Sequence, residues 1–147
     1  KAYGIEFVSI RMAHVYGPWP GDMGRGRVVG EMVEAFLNNK EITVEEQVAQ
    51  WTYLYDLAEE HYVALTSPNL KYEIFNAGSG TISGLSDVKN ILAKKGDINK
   101  IHVDVSKTGS KKFPFDMNKA ANKLNFKPKY TLENGVEDLI KWYSNRL

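Results

Sequence analysis

A mixed α/β or α+β fold is predicted for this chain by three observations. Runs rich in β-branched and aromatic residues are interleaved with apolar residues spaced three and four apart, the periods of strand and helix, but without strict alternation of the two. The 147 residues, 43% of them hydrophobic, suffice to bury one core, so residues 1–147 read as a single domain. No internal repeat and no low-complexity linker divides them.

The first strand is the run Ile5-Glu6-Phe7-Val8-Ser9-Ile10-Arg11. Met12-Ala13-His14 carries the chain into a turn at Val15-Tyr16-Gly17-Pro18, where glycine permits an open turn and proline removes a ladder donor. Val29, Met32, Val33, Phe36 and Leu37 form the first helical stripe. Asp56 and Glu59 have capping-box spacing ahead of Tyr62 and Leu65, which predicts a helix starting after Asp56 and ending before Pro68. Ser83 is the expected cap of a third helix through Leu85, Val88, Ile91 and Leu92, which ends near Gly96. Thr131 is the expected cap of a fourth, with Val136, Leu139, Ile140 and Tyr143 on its apolar face. Residues 41–44, 51–54, 72–76 and 101–103 read as further strands.

Composition narrows the function only a little. A formal net charge of +1 excludes no class of partner. No apolar run is long enough to span a bilayer, and the amino end lacks the pattern of a signal peptide. Without cysteine there is no disulfide or thiolate-metal chemistry, which fits a cytoplasmic protein. His14, His61 and His102 have no metal-ligand spacing, so no metal is expected; His61 and His102 read as structural or surface residues. Lysines crowd residues 89–129, among them Lys94, Lys95, Lys111 and Lys112, with Phe113, Phe115, Phe126 and Tyr130 between or beside them. Such a mixture can bind single-stranded nucleic acid, but no recognition motif accompanies it, so solvated lysines over aromatic core residues are the simpler reading.

Gly78-Ser79-Gly80-Thr81-Ile82-Ser83-Gly84 lies between a predicted strand and a predicted helix, with Asp104 at the end of the next strand. A dinucleotide-binding turn uses that layout, since glycines let backbone amides approach a pyrophosphate at a helix amino end and an acid holds the ribose. The 43 residues after Asp104 are too few to complete a doubly wound sheet, so a glycine-rich turn capped by Ser83 is preferred.

The strand leading into Tyr16-Gly17-Pro18 is followed by Trp51-Thr52-Tyr53-Leu54-Tyr55-Asp56-Leu57-Ala58, then by Tyr72-Glu73-Ile74-Phe75-Asn76-Ala77-Gly78-Ser79-Gly80. Asp116-Met117-Asn118-Lys119-Ala120, Leu124-Asn125-Phe126-Lys127-Pro128, Leu132-Glu133-Asn134-Gly135-Val136 and Trp142-Tyr143 come last. In order and rough spacing this set resembles the extended short-chain dehydrogenases, the NAD-dependent sugar epimerases and dehydratases, with UDP-glucose 4-epimerase-like proteins nearest in general pattern. The resemblance covers nearly the whole chain. It implies the substrate-binding half of such a fold together with the last strands of its Rossmann sheet.

That family's chemistry needs a tyrosine four residues before a lysine, because the ammonium lowers the phenol pKa and lets the phenolate take a hydroxyl proton as hydride leaves to NAD. None of the eight tyrosines here has lysine four places on. With no phosphate-cradling glycine turn near Lys1 either, the expectation is a carboxy-terminal part of a longer enzyme, inactive alone and unable to hold NAD tightly. No catalytic residue is assigned. The resemblance places Met12 and Ala13 beside the nicotinamide and His14, Arg27, Val28 and Lys107 around a nucleotide-sugar substrate, so His14, Arg27 and Lys107 should converge on one cleft. Many family members carry arginine two residues ahead of Trp51, where this chain has Ala49, and glycine where it has Glu45 and Glu46, two carboxylates expected to repel a diphosphate. The expected partners are a nucleotide sugar and the missing amino-terminal Rossmann half, with no membrane and no nucleic acid. The alternatives are a non-catalytic binding module and, after it, a basic domain for single-stranded nucleic acid.

Overall fold

The computed structural model describes residues 3–18, 27–106 and 114–145, and for Arg27 the backbone alone. Among the described residues six strands and five helices follow one another as β1 (Val8–Met12), β2 (His14–Tyr16), α1 (Arg27–Leu37), β3 (Ile42–Glu45), β4 (Trp51–Tyr53), α2 (Leu54–Thr66), β5 (Glu73–Ala77), α3 (Leu85–Ala93), β6 (Ile101–Asp104), α4 (Asn118–Leu124) and α5 (Leu132–Ser144). The strands form three parallel pairs: β1 with β5, β2 with β4, and β3 with β6. Parallel partners need crossover connections, and helices supply them. The mixed α/β class expected from the sequence is thus present, assembled from three short ladders.

The strand expected at residues 5–11 begins later, at Val8, and the turn expected after it contains a second strand. At Ala13 the chain changes partner. The Ala13 amide donates to the Ala77 carbonyl at 2.9 Å, and the next amide, that of His14, donates to the Gln50 carbonyl at 3.1 Å. His14 therefore opens β2 and does not sit in a loop, a correction that three residues are too few for periodicity to anticipate.

Two clusters of buried side chains lie on either side of that change. The larger is built by Tyr16, by Val29, Met32 and Val33 of α1, by Trp51 and Tyr53 of β4, by Leu85, Val88 and Leu92 of α3, and by Val136 and Leu139 of α5. The first, third and fourth predicted stripes thus face one core, with α1, α3 and α5 packed on one another. The smaller gathers Phe75, Ala64, Ala120, Leu124 and Phe126, with Val8 and Ile10 against them, where α2 packs on β1 and α4 on β5.

Helix ends follow local chemistry where that chemistry is free to act. Thr131 accepts the Asn134 amide at 3.2 Å and caps α5 as predicted. Asn39 takes a left-handed φ of 52° after α1, with its amide on the Phe36 carbonyl and that of Lys40 on Ala35, a Schellman ending. Helix α4 is an addition to the four helices expected from spacing. It is short and ends at Asn125, also left-handed, three residues before Pro128.

Two predicted caps prove otherwise. Helix α2 starts at Leu54, directly from β4, so Asp56 lies inside the helix and caps nothing. Its buried carboxylate instead accepts the amides of Lys129 and Tyr130, each at 2.9 Å, fastening α2 to the segment before α5. Helix α3 is capped at Gly84, not Ser83, because the Ser83 backbone is engaged in an antiparallel bridge to Ala49.

Replacing Asp56 by Ala strips two buried amides of a charged acceptor and is expected to destabilise the chain by about 3 kcal/mol in urea titrations. The second expected outcome concerns Glu73, which receives both Lys119 at 2.8 Å and Lys123 and so couples β5 to α4. These lysine hydrogen bonds hold its carboxyl down to about 2. Because the folded value lies below the ordinary 4.5, the stabilisation is complete above pH 4.5 and lost as pH falls towards 2. Glu73→Gln should remove that part of the acid unfolding curve, read by circular dichroism between pH 5 and about 2.

Candidate functional site

Met12, Ala13 and His14 end β1 and begin β2, at the carboxyl end of the β1–β5 pair, the place where parallel sheets present ligand-binding loops. Met12 is 55% exposed, and Ala13 and His14 are half-buried. The His14 ring meets the Trp51 ring edge to face at 5.3 Å, and Trp51 is almost wholly buried. Val28 is half-buried against the larger core through α1, which itself packs on β2. The Arg27 backbone opens α1, but its side chain and the whole of Lys107 lie outside the described residues, as does any convergence of these two with His14.

Beside the junction lies Gln50, which the sequence marks only as a neighbour of the missing arginine. It is 4% exposed, and its side-chain carbonyl accepts the Phe115 amide at 3.1 Å. A side chain on Gly78 would come within 2.5 Å of that oxygen. Gln50 thus lies across Gly78 in the space a side chain there would take.

The amides at the amino end of α3 tell the same story. Leu85 N donates to Glu46 Oε1 at 2.6 Å, Ser86 N to Glu46 Oε2 at 3.2 Å, and Gly84 N to Asp87 Oδ2 at 2.7 Å. Helix amides that would attract a pyrophosphate are already held by carboxylates of the chain. Moreover, β5 and β6 belong to different pairs, so Asp104 is not placed as the ribose-binding acid of such a turn. These contacts account for the α3 end of the glycine-rich turn. The expected repulsion of a diphosphate by Glu46 is also corrected, since this carboxylate is buried against α3.

Five lysines of the basic stretch are held in ion pairs. Lys94 pairs with Glu133 at 2.7 Å, Lys95 with Glu137, Lys119 and Lys123 with Glu73, and Lys129 with Glu59 at 2.6 Å. Phe126 is buried and Tyr130 packs on the larger core. Lys111, Lys112 and Phe113 lie outside the described residues. Of the other histidines, His61 makes a helical contact to the Leu57 carbonyl and His102 faces Glu41 at 3.6 Å. Among the described residues no group of three or more histidine and carboxylate side chains could hold a metal ion, and no helix is long and apolar enough to cross a membrane.

The model of the NAD dependent epimerase/dehydratase family matches residues 1–78, more than half of the chain. The chain belongs to that family. A putative UDP-glucose 4-epimerase of Methanocaldococcus jannaschii is 24% identical over 162 residues, covering 99% of this chain and 48% of the relative. A UDP-glucuronate 4-epimerase of Thermodesulfobacterium geofontis is 27% identical over 152 residues, covering 95% of this chain and 44% of its own length. Among solved structures, the UDP-glucose 4-epimerase of Thermus thermophilus in complex with NAD superposes with a TM-score of 0.83 at 23% identity, over 99% of this chain and 49% of that one. The chain therefore spans about half the length of the relatives it matches.

This member of the epimerase/dehydratase family also buries an acid that sequence reading missed. Glu60 is 1% exposed, one helical turn after Asp56, and its Oε1 has no hydrogen-bond partner among the described residues. Its spacing from Asp56, Leu57 and Ala64 puts it on the inward face of α2, a signal available in the sequence. Burial, reinforced by the nearby Asp56 charge, pushes the Glu60 carboxyl up to about 7. A raised acid favours the protonated folded state, so its stabilisation is complete below pH 4.5 and lost as pH rises through 7. Glu60→Gln should abolish a fall of about 2 kcal/mol in unfolding free energy over that window, measured by urea titration from acid to neutral pH.

Proposed function

We propose that residues 1–147 form one substrate-binding unit, the carboxy-terminal half of an NAD-dependent nucleotide-sugar epimerase or dehydratase related to UDP-glucose 4-epimerase-like proteins. The observation that carries this reading is the change of strand partner at Ala13, with Met12, Ala13 and His14 at the carboxyl end of the β1–β5 pair in a chain of this family. In the intact enzyme Met12 and Ala13 would line the nicotinamide side of the cleft, and His14, Arg27, Val28 and Lys107 the nucleotide-sugar side. His14 can donate a hydrogen bond to a phosphate oxygen, and the two cations would compensate for the arginine replaced by Ala49.

NAD supplies hydride chemistry when bound to the intact enzyme, but this chain alone offers it a poor fit. No tyrosine precedes a lysine by four residues, and the α3 amides are satisfied by Glu46 and Asp87. No chemical step is therefore assigned to these residues. Their part is to bind and orient the sugar nucleotide.

A partner half is supported by surface chemistry. Among the described residues β1 pairs only with β5, and Ile5, Phe7 and Met12 are exposed along or just before it. On α2 the arrangement is inverted, with Asp56 and Glu60 inside and Tyr62 and Leu65 outside. An amino-terminal Rossmann half would extend the β1 edge and cover these apolar groups. A cytoplasmic setting belongs to the same proposal. The nucleic-acid alternative is disfavoured, because the described lysines named above are spent on carboxylates.

The expected outcome for the isolated chain is no tight NAD binding by calorimetry and no turnover of UDP-glucose in an epimerase assay. Turnover by the purified chain would overturn the assignment of the chemistry to a missing half.

A further inference from the structure

Glu46 lies on the β3–β4 connection, 39 residues before α3, yet it is the acceptor for the first amides of that helix. Its carboxylate takes the Leu85 and Ser86 amides and the Ser86 hydroxyl, and it is 9% exposed. A negative charge at this end of a nine-residue helix is stabilised by both the free amides and the helix dipole. The carboxylate occupies space that a side chain at position 84 would take, since a Cβ there would approach Oε1 to 2.7 Å.

From this anchor an unbroken set of contacts runs to His14. Ala49 and Ser83 exchange two backbone hydrogen bonds, each 2.9 Å, and the Ser83 carbonyl also accepts the Trp51 indole N–H at 3.1 Å. Trp51 holds the His14 ring edge to face, while the neighbouring Gln50 carbonyl accepts the His14 amide. Residues 46–51 are thus clamped to the start of α3 at one end and to His14 at the other.

We infer that Glu46 is a positioning residue: its capping of α3 fixes the Ala49–Ser83 bridge and the Trp51 ring, and through them sets the orientation of His14 towards the nucleotide sugar. The inference rests on the reading of His14 as a substrate contact. It predicts a local effect. The smaller core around Phe75 and the β1–β5 ladder make no use of Glu46, so they should be indifferent to its loss.

The test is hydrogen exchange and side-chain NMR on the labelled chain, comparing Glu46→Gln and Glu46→Asp with the parent. In Glu46→Gln, exchange of the Ser83 amide and the Trp51 indole should accelerate roughly ten- to hundredfold, the value of a charged hydrogen bond. The His14 ring resonances should shift, and the Ile10 and Phe75 amides should keep their protection. Glu46→Asp, which retains the charge, should restore part of the protection. Unmoved Trp51 and His14 signals, or an equal loss of protection at Ile10 and Phe75, would overturn the inference. Titrating the parent chain with UDP-glucose separates the two claims: ring shifts at His14 support both, whereas their absence beside an intact Glu46-to-His14 coupling would overturn the substrate role and leave the coupling purely structural.

Discussion

The exchange of backbone partner at Ala13 is the constraint on which the remainder of the molecule depends. On one side of it the chain is committed to β5 and the small core around Phe75; on the other it is committed to β4 and the large core beneath α1, α3 and α5. Successive amides, those of Ala13 and His14, serve the two ladders, so the two cores meet at this one peptide. Backbone hydrogen bonds are directional and costly to leave unmade when buried, so two consecutive ones define this junction more tightly than apolar packing could.

Carboxylates act as fasteners across this frame. Asp56 holds the segment before α5, Glu46 holds the start of α3, and Glu73 holds α4. The first two are buried and directed at backbone amides, which lets a charge remain solvated by dipoles that the helix or loop must satisfy anyway. Glu73 is more exposed and works through lysines, so its contribution is sensitive to acid and salt. Glu60 differs from all three. One of its oxygens is buried without a partner among the described residues, and the group keeps its proton further towards neutrality.

These attachments also account for the character of the surface. Of the lysines that look like a basic tract in the sequence, Lys94, Lys95, Lys119, Lys123 and Lys129 each lie opposite a carboxylate from another element. Among the described residues Phe7, Met12, Tyr62 and Leu65 are exposed, although all four lie within or beside β1 or α2, elements that pack inward with other residues.

The residues alone determined what depends on short range. The stripe through Val29, Met32 and Val33, the cap at Thr131 and the strands around residues 42–45, 73–77 and 101–104 were legible because their periods and caps are local. The ordered run from Tyr16-Gly17-Pro18 to Trp142-Tyr143 also identified the family. Only tertiary structure decided which competing partner a polar group takes. Asp56 has the spacing of a cap but meets the amides of Lys129 and Tyr130, 73 and 74 residues away. Ser83 has the chemistry of a cap but is bound to Ala49, leaving the α3 amides to Glu46. Local rules name the donors and acceptors a segment offers. Which pairs form is set by the long-range packing that brings Glu46 to α3 and excludes water from the contact, and no window along the chain contains both partners.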